Sequence, residues 1–386
     1  MNADCYDLAI IGGGPVGMAL ALALRGYGVS TLQLEARSLP EKEADARPLA
    51  LSHGSHLILK RLDVWKKLSA STPITKIHVS NRGGLGRTVL TTDDANVSAL
   101  GHVVNYHDLF HSMHKTLQDC ETDYLTGATV TQFDTNDDQG QVQFEVNGKQ
   151  KQVTAKLLIL ADGGHLASQA KDIFHHVHDY KQWAIVANIK TQTQQTGIAY
   201  ERFTVDGPVA LLPSGNDFAL VWTVSPLVAK ETLALDDAIF LKRLHQHFGD
   251  RLGAFTQVGK RSGFPLALKY ASPITSQRIA LVGNAAQTLH PVAGQGFNLG
   301  LRDAHELARE IITSNEIGTP AMLSRYRQRR RIDSNTGRFF TDSLIKLFSN
   351  DYALIRNISG LGLSALDCLP PLKRFVARRM IFGARG

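Results

Sequence analysis

The sequence predicts a mixed α/β fold with an inserted, mainly antiparallel sheet and a helical C-terminal region. Three observations predict it. A short apolar strand near the amino terminus runs directly into closely spaced glycines and then into a helical pattern. Alternating apolar runs with Gly, Pro and Asn breaks fill residues 183–224, which is typical of antiparallel strands. After Leu299 the apolar residues follow helical spacing, with breaks expected at Pro320, Gly337, Gly360 and Pro370 with Pro371.

Composition places the chain among ordinary globular proteins. Its 386 residues are 43% apolar and 20% charged, which is enough material for a sizeable core. Three widely separated cysteines without a CxxC pair predict neither a disulfide framework nor a zinc site, and they favour a reducing compartment. The histidines form no HExxH or other ligand pattern, so we expect no metal. No signal-peptide pattern or spanning apolar run is evident, and we expect a cytoplasmic protein.

The first element is a strand, turn and helix in “YDLAIIGGGPVGMALALA”. Gly12, Gly14 and Gly17 have the spacing GxGxxG, which suits a tight turn, a close approach of a pyrophosphate and helix packing. A second apolar strand ends at Glu35, close to the position expected for an acid that binds a ribose 2′-hydroxyl. The pattern predicts a Rossmann-like fold that binds FAD or NAD.

Two later segments also begin with a strand and a tight turn. The turn begins with an acid in one and is followed by a helix in the other. “KLLILADGG” ends at Asp162 and Gly163, and “IALVGNAAQTLHPVAGQGFNLGLRDA” passes from a strand through glycines into a helix. Strand ends from the beginning, middle and late parts of one chain indicate one long ligand across a sheet edge. FAD is long enough to contact all three strand ends. The predicted FAD-binding domain comprises residues 1–75, 98–175 and 270–325; a substrate-side sheet domain comprises 76–97 and 176–269.

The third predicted region, residues 326–386, is helical and basic. From residue 321 onward the chain has 13 Arg and Lys against four Asp, although the whole chain carries only +7. Several apolar residues are interspersed with these charges, and such a mixture would be attracted to an anionic membrane surface or an acidic partner. A solvated helix face packed on its own domain is the alternative. No nucleic-acid-binding motif accompanies the charge, so nucleic acid is not an expected partner.

Several motifs resemble a known family. “GGGPVG”, “ADARPLAL”, “LADGG” and “ALVGNAAQTLHPVAGQGFNLGLRD”, in this order, resemble the FAD-dependent aromatic hydroxylases of the single-component flavoprotein monooxygenases. “HVSNRGGLG”, “YERFTVDGPVALLP” and “TDSLIKLFSN” are similar to the 2-polyprenyl-6-methoxyphenol hydroxylase branch of ubiquinone biosynthesis. The resemblance spans nearly the whole chain.

The resemblance implies an activity, cofactors and partners. It implies hydroxylation of the aromatic ring of a polyprenylated phenol through a flavin hydroperoxide, with FAD as cofactor, NADPH or NADH as reductant and O2 as co-substrate. Other ubiquinone-biosynthesis proteins are implied as partners, and the basic C-terminal region would place the protein peripherally at the inner face of the membrane.

The resemblance also assigns roles to matching positions. The first glycines and Glu35 would hold the ADP part, Arg47 would approach the pyrophosphate or ring, Gly283 and Asn284 would face the ribityl chain, and residues 291–296 would border the isoalloxazine. The predicted cofactor-binding residues are Gly12, Gly14, Pro15, Val16, Gly17, Glu35, Ala36, Arg47, Asp162, Gly163, Gly283, Asn284, Pro291, Gly294, Gln295, Gly296 and Asn298.

The sequence departs from the wider family at two of these motifs. Leu166 stands where the family has a serine and no arginine follows nearby, so the docking of the nicotinamide is not defined. Asn284 replaces an aspartate, and its amide can still accept a hydrogen bond from a ribityl hydroxyl.

The chemistry implied by the family requires a dry pocket for the phenol. The apolar stretches 209–213 and 218–222 could build one, and Leu211, Pro213 and Trp222 are the predicted substrate-pocket residues. No catalytic acid or base is evident. His290 is the nearest titratable candidate, and a structural hydrogen-bonding role is its alternative.

Two classes of function remain open on the sequence. The first is an enzyme that hydroxylates a polyprenylated phenol, with another ring position or a soluble aromatic as variants of the substrate. The second is a flavin-binding or prenyl-binding structural member of a biosynthetic assembly with little turnover.

Overall fold

A computed structural model describes residues 4–39, 47–82, 86–348 and 353–383 of the chain. Its strands form three sheets. The first contains β1 (Asp4–Ile11), β2 (Thr31–Glu35), β8 (Asp123–Thr126), β9 (Ala128–Thr135), β10 (Gly140–Val146), β11 (Lys149–Leu160), β18 (Thr275–Ser276) and β19 (Ile279–Leu281). The second contains β5 (Lys76–Asn81), β6 (Arg87–Thr91), β12 (Phe174–Thr191), β13 (Ile198–Phe203), β14 (Val209–Ser214), β15 (Asp217–Val224), β16 (Phe255–Val258), β17 (Ser262–Ser272) and β20 (Gln287–Thr288). A small third sheet contains β3 (Pro48–Ser52), β4 (Thr72–Ile74) and β7 (Gly101–Asn105).

Helices cover these sheets. They are α1 (Pro15–Ala23), α2 (His53–Arg61), α3 (Thr92–Ala95), α4 (Tyr106–Leu117), α5 (Pro226–Leu233), α6 (Asp237–Phe248), α7 (Gln295–Thr313), α8 (Pro320–Phe348), α9 (Ala353–Cys368) and α10 (Pro370–Phe382). Among the described residues, no helix combines the length and apolar character needed to cross a bilayer.

The first sheet has a parallel centre. Strands β19, β11, β1, β2 and β8 lie side by side and run in the same direction, with Ile11 beside both Leu34 and Leu160. Leu160 in turn lies beside Leu281. The carboxyl ends of β1, β2, β11 and β19 therefore meet at one edge, where a doubly wound sheet binds its ligand.

Two hydrophobic cores enclose this sheet, and a third belongs to the second sheet. One face packs against α1, α4 and α7 through residues such as Leu8 and Met18; the other packs against the β9–β10 hairpin through residues such as Phe144. In the second sheet, the buried ring of Trp222 packs against Phe240 of α6. Leu49 of the third sheet and Val221 of the second sheet border the same cavity as the carboxyl ends of β1 and β11, so all three sheets meet at this edge.

The C-terminal helices differ from the sequence prediction at two glycines. Helix α8 begins at Pro320 and α10 at Pro370, as predicted, but α8 continues through Gly337 and α9 continues through Gly360. The prediction of breaks at these glycines was wrong. At Gly337 a Cβ would lie 3.0 Å from Leu299 of α7, so the glycine permits close helix packing instead of ending the helix.

Candidate functional site

The site begins at the turn after β1. Gly12 has φ of +115°, and a Cβ there would lie 2.4 Å from the carbonyl oxygen of Ala161. The sequence interpretation missed Gly13, where a Cβ would lie 2.4 Å from the Tyr124 hydroxyl and 2.5 Å from the Glu35 Cβ. The run of three glycines was the available sequence signal. Two successive turn positions therefore exclude any side chain, which brings the ends of β1, β2 and β11 together.

Glu35 holds this turn and faces the ligand space. Its Oε2 accepts from the Gly13 amide at 2.7 Å, and its Oε1 accepts from the Arg37 amide at 2.9 Å. The side chain is buried. Each carboxylate oxygen has further lone pairs, so Glu35 can fix the turn and still accept from a ribose hydroxyl.

Helix α1 presents its amino end to the same space. Its N-cap is Gly14, no side chain caps it, and Pro15 occupies the first turn. A Cβ on Gly14 would meet no atom within 4 Å, so the backbone there borders open space. Free amides and the positive end of the helix dipole form a suitable place for a diphosphate. Gly17 is different: its Cβ would lie 2.5 Å from the Gly12 carbonyl oxygen, so it serves helix packing.

The turn after β11 is stabilised by Asp162. Its two carboxylate oxygens accept from the amides of Gly164 at 2.9 Å and Leu166 at 2.7 Å. Leu166 takes part in this turn through its backbone amide, so the turn forms without the serine side chain of the wider family. Gly163 has φ of +80° and completes this turn.

The late segment is attached to a buried ion-pair network. Gly283 has φ of +62°, and its amide donates to Asp303 at 3.0 Å. Asp303 pairs with Arg330 of α8 at 2.6 Å, and Arg330 also pairs with Asp333 at 2.7 Å. Burial opposes the charge on Arg330, but the two carboxylates raise its pKa above the usual value. The sequence interpretation missed this network, because its members are 20 or more residues from the glycine they hold.

A cavity of about 800 Å³, here called the first cavity, is bordered by all of these turns. Its volume lies within the range of cofactor sites. It is bordered by thirteen of the predicted cofactor residues: Gly12, Gly14, Pro15, Val16, Glu35, Ala36, Arg47, Asp162, Gly163, Gly283, Asn284, Pro291 and Gly296. The guanidinium of Arg47 lies over the Tyr106 ring, 5.0 Å from its centroid. An uncapped helix end, an acid at the second strand and glycine access near α7 together fit FAD.

The remaining predicted cofactor residues near α7 lie around a neighbouring space. Gly294, Gln295 and Asn298 border a smaller apolar cavity of about 280 Å³, here called the second cavity. The Asn298 side chain connects α7 to β3, since it accepts from the Ser52 amide at 2.8 Å and donates to the Ala50 carbonyl at 2.9 Å. Pro291 and Val221 border both cavities, so the two spaces are adjacent.

The predicted substrate-pocket residues lie on the wrong face of the second sheet. Leu211 and Trp222 are fully buried in the core beneath α5 and α6, and Pro213 shares their face of β14. The second cavity is bordered instead by Ala210, Leu212 and Val221, together with residues of α8, α9 and α10. The prediction identified the right strands but was wrong by one residue in each, and in a strand one residue reverses the face.

His290 is a structural residue in this arrangement. It is 1% exposed, it borders neither cavity, and its Nδ1 accepts from the Val292 amide at 3.2 Å. Burial lowers its pKa to about 4, so the imidazole is neutral near pH 7. Its ring lies 5.3 Å from that of Tyr180, edge to face. These contacts shape the turn before α7.

Comparison with known proteins also indicates an FAD-binding protein. A family model described as “FAD binding domain” matches residues 5–335. The ubiquinone hydroxylase UbiL of Rhodospirillum rubrum is 34% identical over 385 residues, covering 96% of this chain and 88% of the relative. The 3-demethoxyubiquinol 3-hydroxylase of Escherichia coli strain K12 is 30% identical over 382 residues, covering 95% and 96%.

A solved structure shows the same fold at lower identity. The p-nitrophenol 4-monooxygenase PnpA of Pseudomonas putida DLL-E4 has a TM-score of 0.79 and 16% identity, covering 99% of this chain and 100% of that chain. The predicted aromatic-hydroxylase type of fold is thereby confirmed. FAD as cofactor and an FAD-dependent monooxygenase as enzyme class, with O2 as co-substrate and a reduced nicotinamide as reductant, are confirmed as well. The match over most of its length shows that the chain belongs to the FAD-binding domain family.

Proposed function

We propose that this protein hydroxylates the aromatic ring of a polyprenylated phenol in ubiquinone biosynthesis, with a 2-polyprenyl-6-methoxyphenol as substrate. One observation carries the proposal: an apolar cavity adjoins the FAD cavity and shares Val221 and Pro291 with it. The relatives named ubiquinone hydroxylase and 3-demethoxyubiquinol 3-hydroxylase support the same substrate class.

FAD, when bound, supplies the redox and oxygen-transfer chemistry. The chain positions the reactants and excludes water. Helix α7 begins at Gln295 after the N-cap Gly294, and no side chain caps it. Gln295 borders the second cavity and Gly296 borders the first, so the positive end of the helix dipole lies beside both cavities. This arrangement stabilises negative charge that develops near the flavin ring without a side-chain base.

The second cavity suits a phenol ring with an attached isoprenoid. Its walls are largely aliphatic, with Leu212 and Val221 from the second sheet and Leu363, Val376 and Met380 from the last two helices. Such walls exclude water from the reacting oxygen and bind apolar groups without orienting them by polar contacts.

The test is hydroxylation of a defined compound by the purified holoenzyme. We expect a 2-farnesyl-6-methoxyphenol to accelerate NADPH oxidation and to gain one oxygen atom from ¹⁸O2, detected by mass spectrometry. The same phenol without the farnesyl chain should react more slowly. If all oxygen consumed appears as hydrogen peroxide, the proposal is wrong and the alternative of a low-turnover binding protein gains support. Faster reaction of the chain-free phenol would indicate a soluble aromatic substrate.

We further propose that α10 contacts an anionic membrane surface on the cytoplasmic side, from which the substrate is taken. The outward face of this helix exposes Leu372 and Phe375 beside Arg374 and Arg378, while Val376 and Met380 face the second cavity. One helix thus separates the substrate cavity from an apolar and basic surface, which supports entry of the prenyl chain from a membrane.

Charge reversal tests the membrane contact. The double variant Arg374→Glu with Arg378→Glu should lose binding to vesicles of phosphatidylglycerol and phosphatidylcholine in a flotation assay. The matched control, Lys149→Glu with Lys151→Glu, reverses two exposed charges on the distant β10–β11 hairpin and should bind normally. Equal binding by both variants would count against the contact. Arg330 is unsuitable for such a test because it is buried in the ion-pair network.

A further inference from the structure

Glu201 is the one charged side chain among the described residues that border the second cavity. Strand β13 lies between β5 and β14, and its Glu201 is paired with Val79 on one side and with Ala210 on the other. Both neighbours also border the cavity. The carboxyl group is therefore surrounded by aliphatic walls in the space proposed for the phenol.

This carboxyl group has no partner in the described part of the chain. It makes no hydrogen bond or ion pair there, and burial alone raises its pKa to about 8. The side chain is nevertheless partly accessible, because it borders the cavity. Burying a carboxyl group without a partner destabilises a fold, so its polar contact has to come from whatever fills the cavity.

The proposed substrate has a matching group. A polyprenylated methoxyphenol is apolar except for its ring oxygens, and its hydroxyl needs a partner when water is excluded. We propose that Glu201 holds the phenolic hydroxyl of the substrate by a hydrogen bond and accepts its proton during ring hydroxylation. This inference rests on the proposed function for the identity of the phenol.

The proton transfer balances as follows. The phenol O–H bond breaks, the Glu201 carboxylate gains the proton, and the electron pair stays on the phenolic oxygen. That oxygen donates electron density into the ring, so the ring carbon that forms the new C–O bond becomes a better nucleophile. The same carbon then loses its hydrogen as a proton when the ring becomes aromatic again, and the phenolic oxygen recovers a proton. O2 supplies the oxygen atom of the new C–O bond, and the reduced nicotinamide of the monooxygenase reaction supplies two electrons. As the C–O bond forms, the O–O bond breaks, and the second oxygen atom leaves as water.

A carboxylate in this cavity is a stronger base than an ordinary one. A pKa of about 8 is closer to that of a phenol than the usual 4.5, so proton transfer is less unfavourable. Thr88 also borders the cavity, and its hydroxyl donates to Asp367, which lies outside the cavity and pairs with Lys373 at 3.3 Å. Among the described residues that border the cavity, Tyr200 is the other titratable one, and burial raises its pKa as well.

Two substitutions separate binding from proton transfer. Glu201→Gln keeps the shape and the hydrogen-bonding ability but cannot accept a proton. We expect its kcat for 2-farnesyl-6-methoxyphenol to fall about 100-fold with little change in KM. The wild-type kcat/KM, which reports the pKa of the free enzyme, should rise with pH around 8, and the variant should lose this rise. Unchanged kcat and an unchanged pH profile would overturn the proton-accepting role.

Glu201→Leu removes the hydrogen bond as well. The oxidised holoenzyme is titrated with 2-farnesyl-6-methoxyphenol and with its O-methyl ether, and binding is followed by the change in flavin absorbance. The wild type should prefer the phenol about tenfold, and the leucine variant should bind both compounds equally. Absence of the preference in the wild type would overturn the proposal. A wild type that prefers the phenol but does not hydroxylate it would instead contradict the proposed function and leave Glu201 as a binding residue.

The melting temperature distinguishes the proposed role of Glu201 from a structural one. At pH 8.5 Glu201→Leu should raise the melting temperature, because it removes an unpartnered carboxylate from an apolar space. A lower melting temperature would show that the carboxylate stabilises the fold, which contradicts the proposal. Glu145→Gln is the matched control: it lies exposed on β10, where Gln150 donates to it at 3.2 Å, and should leave catalysis and melting unchanged.

Discussion

At the scale of single residues, Gly13 and Gly14 lie next to each other but have different roles. A side chain at Gly13 would collide with Tyr124 and Glu35, while a side chain at Gly14 would enter open space. Gly14 also has an ordinary φ of −72°. The first glycine is required by the fold, whereas the second leaves space for a ligand.

Alanine substitutions should therefore have different effects at the two positions. Gly13→Ala should lower the melting temperature of the apoprotein, because the rigid Cβ of Glu35 would have to move. Gly14→Ala should leave the apoprotein melting unchanged but reduce FAD affinity, because its methyl group occupies the ligand space. Differential scanning calorimetry without FAD and flavin titration test the two effects. Equal melting of both apoproteins, with equal FAD affinity, would contradict this division.

His290 should influence acid stability and not the pH dependence of catalysis. Its pKa is lowered from 6.5 to about 4 in the fold, so the unfolded chain takes up the proton first as the pH falls. The free energy of unfolding should decrease between pH 6.5 and 4 and then level off for this group. His290→Gln should make that decrease smaller, as urea titrations at several pH values would show, and keep the shape of the hydroxylation pH profile. Loss of a catalytic limb in the variant would show that His290 is a catalytic base.

At the scale of elements, Arg330 connects α8 to the turn at Gly283, because it pairs with Asp303, which accepts from the Gly283 amide. Arg330 is 2% exposed and pairs with both Asp303 and Asp333. Arg330→Met should destabilise the protein by about 3–5 kcal/mol, because it leaves the buried Asp303 without its ion-pair partner, whereas Asp333 keeps Arg302 at 2.9 Å. It should also weaken FAD binding, since Asp303 holds the Gly283 amide.

Arg327→Met is the control for this substitution, because it removes an exposed arginine from the same helix. Its effect on the free energy of unfolding should stay within about 0.5 kcal/mol. Chemical denaturation measures both variants. If both variants lost the same small free energy of unfolding, the buried network would not be the connection between α8 and the site.

Strand β15 contributes opposite faces to the site and to the core. Val221 borders both cavities, whereas the next residue, Trp222, is fully buried against α6. Val221→Phe should fill the second cavity and reduce hydroxylation about tenfold or more while the protein still folds. Trp222→Ala should destabilise the fold by about 3–5 kcal/mol. Circular dichroism melting and product formation distinguish the two outcomes, and equal losses of activity and stability in both variants would contradict the assigned faces.

These strands also show what the sequence could and could not predict. Gly12, Glu35 and the strand ends were predictable, because a strand, a tight turn and a helix start are specified within a few neighbouring residues. The face of β14 was not, because both faces of that strand are apolar: one packs on α6 and the other borders the cavity. Glu201 and Asp303 escaped sequence interpretation for a related reason, since their roles depend on partners or cavities that distant segments create.

At the scale of the whole molecule, FAD should stabilise some regions and leave others unaffected. The first cavity is built from the turns after β1, β11 and β19 and from the start of α7, whereas no residue of α5 or α6 in the described chain borders it. A ligand present at about 100 times its Kd stabilises the protein that binds it by about 2.7 kcal/mol. Hydrogen exchange of the apoprotein and holoprotein should therefore show new protection at residues 12–17, 162–166 and 283–300. The helices α5 and α6 should exchange at equal rates in both forms, because their core with Trp222 is complete without the cofactor. Uniform protection over the whole chain would mean that FAD stabilises both sheets as one cooperative unit, which would contradict the separation of the cofactor site from this core.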